Sequence, residues 1–217
     1  VTGLSGISEI EGFAVADLRV TRGGEIKKRR RDGPAASLGG DRWSHRLARC
    51  RTSRFLIHAA REALETAGFQ GALPPGDRIG VVIGTALGGI DAASRSLATG
   101  GSLSALAGSV YDGPTYNLAG WLGARGPVLT VTTACASGAT SHGLGADLLR
   151  AGRADVVVAG GADALCRFVQ RGFNVLRSLT RDAVRPFDRR RSGLLLGEGA
   201  GLVVLERGDA AARRGHQ

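Results

Sequence analysis

The segment that most constrains the fold runs from position 127 to position 152 and predicts a strand, a short junction and a helix. Residues 127–133 are apolar and β-branched, which is the composition of a strand buried in a sheet. Residues 136–149 predict a helix that ends at Ala151-Gly152. One side of this helix carries Leu144, Leu148 and Leu149.

Cys135 lies at the junction, between Ala134 and the small residues Ala136, Ser137 and Gly138. Unpaired N–H groups at a helix N-terminus favour a thiolate over a thiol and also stabilise a developing oxyanion. The small neighbours would let an acyl group approach, so we interpret Cys135 as a nucleophile. The alternative is a small buried cysteine, and that interpretation fits Cys50 and Cys166 well.

The rest of the chain predicts a layered α/β protein. Strands are expected at 79–84, 129–133, 155–159 and 201–206, with helical stretches between them. A chain of 217 residues is long enough for one sizeable core. Three cysteines at unrelated spacings give no disulfide framework and no zinc pattern, so we expect no metal. The apolar runs are too short to span a membrane and no signal peptide is recognisable, which predicts a cytoplasmic protein.

The formal net charge of +10 comes largely from one basic region. Such a cluster raises the rate of encounter with acidic macromolecules. Nucleic acid is disfavoured as the partner, because Trp43 is the only aromatic residue among these charges and no nucleic-acid motif is present. A solvated loop with no specific partner is the alternative. The region consists of the run 27–31 followed by Arg42, Arg46, Arg49, Arg51 and Arg54.

The run from Thr130 to Leu165, TVTTACASGATSHGLGADLLRAGRADVVVAGGADAL, resembles the active-site region of β-ketoacyl-acyl carrier protein synthases, the ketosynthases of fatty acid and polyketide assembly. The likeness is to the type II, KAS II-like members of the thiolase superfamily. Further segments resemble the same family in the same order along nearly the whole chain. They are 1–6, 53–64, 78–85 with Gly88-Gly89, 117–127, 185–188 and 197–201.

The resemblance implies the amino-terminal half of a thiolase-like fold, a layered α/β structure with a mostly parallel mixed sheet of about five strands. Residues 1–217 would form one ketosynthase amino-terminal domain, with a basic loop region at 22–54. Cys135 would accept the acyl group and Phe173 would line the acyl pocket. The acidic acyl carrier protein would dock on Arg46, Arg49 and Arg51, and its phosphopantetheine would carry the substrates, so no other cofactor is expected.

The resemblance also implies that two histidines and a lysine come from a carboxyl-terminal half, which would begin where this sequence ends. His142 follows Cys135 by seven residues, about 10 Å along a helix, which is too far for direct proton transfer. We therefore expect a split ketosynthase that pairs with a separate carboxyl-terminal chain. Pairing of strand 129–133 with its copy would give a dimer or heterotetramer. An acyl-transfer or priming subunit, a non-catalytic scaffold and an inactive remnant are the alternatives.

Overall fold

The computed structural model describes residues 4–27, 50–69, 73–98, 100 and 109–216. The chain divides into two compact units. The first unit comprises Val1–Pro34 and Ala164–Gly199, and the second comprises Ala35–Asp163 and Ala200–Gln217.

A four-stranded sheet forms the centre of the second unit. Its strands are β3 (Ile79–Gly84), β4 (Val128–Val131), β5 (Val156–Asp163) and β6 (Gly199–Glu206), in the spatial order β4-β3-β5-β6. Strand β3 is buried along its whole length and pairs in parallel with both β4 and β5. This position between two parallel neighbours explains why β3 is a continuous run of apolar residues and glycine.

Helices cover both faces of this sheet. Helices α1 (Arg51–Thr66) and α3 (Gly113–Leu122) pack on the face that carries Val81, Ile83, Val156 and Val158. Helix α4 (Ser137–Arg150) packs on the opposite face through Leu149, against Val82, Val157 and Ala159. Consecutive residues of β3 and β5 therefore belong to different cores, as the alternation of side chains along a strand requires. The other helices that the described residues of this unit form are α2 (Ile90–Ala98) and α6 (Gly208–Arg213).

The first unit contains β1 (Ser8–Glu9) and β2 (Arg22–Gly23), paired antiparallel, and helix α5 (Arg167–Val175). Helix α5 buries polar side chains and exposes apolar ones. Asn174 accepts a hydrogen bond from the Val20 N–H at 2.8 Å, and Gln170 donates to the Val20 carbonyl at 3.0 Å. The exposed side carries Phe168, Val175 and Leu176, the last residue lying just beyond the helix.

The predicted fold class is confirmed, with differences in detail. The main sheet has four strands rather than about five, because β1 and β2 form a separate pair. Residues 4–6 of the resembling segment 1–6 lie outside any strand, and the first strand in the described ranges begins at Ser8. Strand β3 matches its predicted bounds, and the helix after Cys135 begins and ends one residue later than predicted.

The three leucines on one side of α4 differ in burial. Leu149 is buried and Leu148 packs against the core, but Leu144 is 38% exposed. The buried stripe is instead Ser137, Ser141, Gly145 and Leu149. Small residues are needed there because a Cβ on Gly145 would already lie 3.0–3.3 Å from Leu205, Val157 and Ala159. No helix in the described ranges is long and apolar enough to cross a membrane.

Candidate active site

The candidate nucleophile lies in the five-residue loop 132–136 between β4 and α4. Cys135 is exposed, whereas Cys50 and Cys166 are buried. Ala134, directly before Cys135, has a φ of 52°, in the left-handed region that residues other than glycine seldom adopt. A strained backbone next to an exposed thiol is typical of functional loops.

The Ser137 hydroxyl forms hydrogen bonds with two residues of this loop. It accepts a hydrogen bond from the Thr133 N–H at 2.9 Å and donates to the Ala134 carbonyl at 2.6 Å. The Ser137 side chain is buried. The Ala136 and Ser137 N–H groups also bond back to the loop, to the carbonyls of Thr133 and Ala134. The loop is therefore closed on itself around the residue that precedes Cys135.

A buried threonine, Thr85, connects the end of β3 to this loop. Its N–H donates to the Val131 carbonyl at 3.0 Å, and its own carbonyl lies 3.4 Å from the Ser137 hydroxyl. The Tyr111 hydroxyl also donates to the Thr85 carbonyl, at 3.1 Å, and lies 3.0 Å from the Thr132 hydroxyl. Thr85 thus contacts both the end of β4 and the start of α4.

Asp163, the last residue of β5, holds Thr85 in place. Its carboxylate accepts hydrogen bonds from the Thr85 hydroxyl at 2.7 Å and from the N–H groups of Ala86 and Leu87. Asp163 therefore fixes the turn that follows β3. Glu198 has a comparable structural role in the other unit, where it accepts from the N–H groups of Ile26 and Leu165.

Main-chain atoms pack very closely behind the loop. A Cβ on Gly84 would lie 2.1 Å from the Ser137 carbonyl oxygen and 2.6 Å from the Gly138 nitrogen. A Cβ on Gly161 would lie 3.0 Å from the Gly84 carbonyl oxygen. Glycine is therefore required at position 84 for the start of α4 to approach the end of β3.

The buried cysteines confirm the prediction of packed thiols. Cys50 precedes α1, and its thiol donates to the Asp91 carboxylate at 3.6 Å. Burial raises the pKa of the Cys50 thiol, and the negative charge of Asp91 raises it further. Asp91 is itself buried and accepts from the Arg51 N–H at 3.0 Å and from Arg95 at 2.7 Å.

No histidine in the described ranges forms a pair with Cys135. His142 is exposed on α4, two turns from the loop, and His58 lies 3.4 Å from Glu62 on α1. His45 lies outside the described residues, as do Arg46 and Arg49. Arg51 is the first residue of α1, and its guanidinium lies 5.1 Å from the centre of the Phe55 ring.

Phe173 is half-buried on α5, and its carbonyl accepts from the Ser178 N–H at 3.3 Å. Its role in an acyl pocket stays a prediction, as does carrier docking on the three arginines. Sequence reasoning missed Ser137 and Thr85 as functional candidates. The available signal was indirect: Thr85 follows a buried strand directly, and Ser137 lies two residues after the cysteine.

The comparison with known families agrees with this geometry. Residues 1–211 match the family described as Beta-ketoacyl synthase, N-terminal domain. The chain belongs to this family. Cys135, the loop and the glycines behind it all lie within the matched residues, as do Thr85 and Asp163.

Two curated relatives of this ketosynthase domain are 38% identical to it. Nodulation protein E of Rhizobium meliloti matches over 172 residues, which is 76% of this chain and 43% of that protein. The tetracenomycin polyketide synthase ketoacyl synthase alpha subunit of Streptomyces glaucescens matches over 185 residues, with the same coverage of both chains. The chain thus spans less than half the length of these two relatives.

A solved structure shares the fold over 99% of this ketosynthase domain. It is the ishigamide ketosynthase/chain length factor, with a TM-score of 0.86 and 30% sequence identity. The matched part is 54% of that chain. The similarity therefore covers nearly all of this chain and about half of its structural neighbour.

Proposed function

We propose that Cys135 is the acyl-accepting nucleophile of a β-ketoacyl-acyl carrier protein synthase. The reaction is the decarboxylative Claisen condensation of acyl and malonyl carrier thioesters in fatty acid or polyketide biosynthesis. The observation that carries this proposal is the exposure of Cys135 at a strained strand-to-helix junction of a ketosynthase domain, while the other two cysteines are buried.

In the first step the Cys135 thiolate attacks the carbonyl carbon of the acyl thioester on carrier phosphopantetheine. A new carbon–sulfur bond forms, the carrier leaves as its thiolate, and backbone N–H groups stabilise the oxyanion. Malonyl carrier then loses carbon dioxide, and the resulting carbanion attacks the acyl carbon. The Cys135 thiolate leaves, and the product is a 3-ketoacyl thioester on the carrier.

The second step needs histidines that the described residues do not place beside Cys135. In our proposal a carboxyl-terminal ketosynthase half, on a separate chain, supplies them. The matched part is 43% of the length of the two curated relatives and 54% of the solved one. Arg46, Arg49 and Arg51 would receive the acidic carrier, and Phe173 would line the acyl pocket.

Strand β4 supports the proposal that the chain also dimerises. It is the edge strand of the described sheet, with β3 as its neighbour there, and Leu129 on it is 39% exposed. An open strand edge is a template for pairing with another strand. Two copies joined at β4, each with a carboxyl-terminal half, would form a heterotetramer.

A second candidate function is a subunit that only accepts or transfers the acyl group, because that step needs Cys135 and a carrier but no decarboxylation. A non-catalytic scaffold is the third candidate, since the solved neighbour is a ketosynthase/chain length factor. The presence of an exposed cysteine favours the first two candidates over the scaffold.

The deciding experiment incubates the chain with an acyl carrier thioester, alone and with a carboxyl-terminal ketosynthase half, and follows the intact mass. We expect an acyl adduct on Cys135, absent in Cys135→Ala and present in Cys166→Ala, and elongation with malonyl carrier only when both halves are present. An adduct without elongation would establish the acyl-transfer role. No adduct under either condition would overturn both enzymatic proposals.

A further inference from the structure

We propose that Ser137 is a positioning residue for Cys135. Its hydroxyl holds loop 132–136 in a conformation that positions the Cys135 thiol for acyl transfer. Thr85 and Asp163 fix the backbone that packs against Ser137. This inference rests on the proposed function of Cys135. The loop geometry used to argue it is independent of that function.

Ser137 joins the two ends of the strained segment through a single oxygen atom. The oxygen accepts from the Thr133 N–H on one side of Ala134 and donates to the Ala134 carbonyl on the other. The hydroxyl has one proton, and the 2.6 Å distance to Ala134 makes that carbonyl its better acceptor than Thr85 at 3.4 Å. Both bonds enclose the residue that precedes the nucleophile.

The left-handed conformation of Ala134 needs this support. Such a conformation is unfavourable for a residue with a Cβ and persists only where the surroundings determine it. Without the Ser137 oxygen, Thr133 loses its hydrogen-bond acceptor and Ala134 loses a donor. The loop would then relax toward a normal φ and carry Cys135 with it. A displacement of about 1 Å at a reacting group can reduce a rate by about a hundredfold.

The backbone behind Ser137 is fixed by a second set of contacts. Thr85 bonds to Val131 through its N–H and to Asp163 through its hydroxyl, so it cannot follow a relaxing loop. The bare main chain of Gly84 lies directly against the Ser137 carbonyl. Through these contacts Ser137 links the strained loop to the rigid end of β3. Its role is therefore not limited to the start of α4.

Ser141, one turn further along α4, offers a matched control. It is as buried as Ser137 and also donates to backbone carbonyls, of Gly138 at 2.6 Å and of Gly160 at 2.8 Å. Neither bond reaches loop 132–136. Ser137→Ala and Ser141→Ala thus remove the same group from the same helix, and only the first removes a contact with the nucleophile loop.

The experiment compares these two variants with the parent chain, combined with a carboxyl-terminal ketosynthase half. Hexanoyl-pantetheine thioester reports acyl transfer and iodoacetamide reports simple access to the thiol. For Ser137→Ala we expect the maximal rate of Cys135 acylation to fall about tenfold or more, with the half-saturating thioester concentration unchanged. Alkylation of Cys135 should change about threefold or less, and Ser141→Ala should acylate within about twofold of the parent.

The buried cysteines show whether a variant has lost its fold. A merely structural loss would expose Cys50 or Cys166 to iodoacetamide, so the proposal requires that both stay protected in Ser137→Ala. Acylation within about twofold of the parent in Ser137→Ala, or an equal loss in Ser141→Ala, would overturn it.

Amide hydrogen exchange tests the same claim without any acyl transfer. In Ser137→Ala the Thr133 amide should exchange about tenfold faster, because its acceptor is gone, while the Thr85 amide should not change. If the parent chain accepts no acyl group, the proposed function fails and exchange alone decides the role of Ser137. An unchanged Thr133 exchange rate would then refute the positioning role.

Discussion

Cys135 and Cys50 both lie at the start of a helix, and the structure gives them opposite environments. Cys135 is exposed, beside a strained residue and a loop closed by a serine. Cys50 is buried against a carboxylate that raises its pKa further. A helix N-terminus therefore does not make a cysteine reactive by itself, because burial and a neighbouring negative charge can reverse its effect.

The largest expected difference between the two cysteines is in their rates of alkylation. Iodoacetamide should modify Cys135 in the folded chain about a thousandfold faster than Cys50, which becomes accessible only when the structure opens. Peptide mass spectrometry over a time course measures both rates in one sample. Denaturant should bring the two rates within about tenfold of each other. Similar rates in the folded chain would contradict the assigned environments.

A large effect is also expected when the contact behind the Cys135 loop is broken. Gly84→Ala places a Cβ among main-chain atoms that cannot move aside, so the free energy of unfolding should fall by about 3 kcal/mol, as measured in urea. The matched control is Gly143→Ala on α4, where a Cβ meets nothing within 4 Å. That variant should gain about 0.5–1 kcal/mol from helix propensity. A neutral Gly84→Ala would refute the close approach.

A smaller loss of stability is expected when the buried carboxylate beside Cys50 is replaced. Asp91→Asn removes a buried charge that pairs with Arg95, and the free energy of unfolding should fall by about 2 kcal/mol. Asp147→Asn is the matched control, because its pair with Arg150 on α4 is exposed at both ends. It should stay within about 0.5 kcal/mol of the parent. Equal losses in the two variants would indicate that burial of Asp91 adds nothing.

The smallest effect is a pH dependence that belongs to Cys50. Its pKa is higher in the folded chain than in the unfolded chain, where it is about 8.5, so its contribution is complete below about pH 8.5. Above that pH the unfolded chain loses the thiol proton first, and the free energy of unfolding falls until pH passes the folded pKa.

Urea unfolding of the parent and of Cys50→Ala across this pH range isolates that contribution. The parent should lose more stability over this range than Cys50→Ala, because only the parent carries the thiol with the raised pKa. The same decline in Cys50→Ala would assign it to other groups.

The sequence predicted the bounds of β3 and α4 closely, because each element carries its pattern within a short run of consecutive residues. Strand β3 is buried on both faces and is therefore continuously apolar. The helix after Cys135 has a clear signal at its carboxyl end, Ala151-Gly152. The buried side of α4 was less predictable: Leu144 belongs to the right period but is exposed, because the sheet accepts only small side chains along that helix.

Cys135 was predictable as a nucleophile, whereas the contacts that hold its loop were not. Ser137 and Thr85 are 52 residues apart, and Asp163 is 78 residues from Thr85. Each of these residue types is common at turns, so no local pattern distinguishes them. Only the parallel pairing of β3 with β4 and β5 brings the three strand ends together.

The wall behind the Cys135 loop is made largely of main chain, from Gly84, Gly161 and the first residues of α4. This wall contains few side chains that a mutation could replace. Across evolutionary time this wall should change little, since a substitution adds bulk where there is no room. Diversification among descendants of this domain should therefore concentrate on the open side of the thiol.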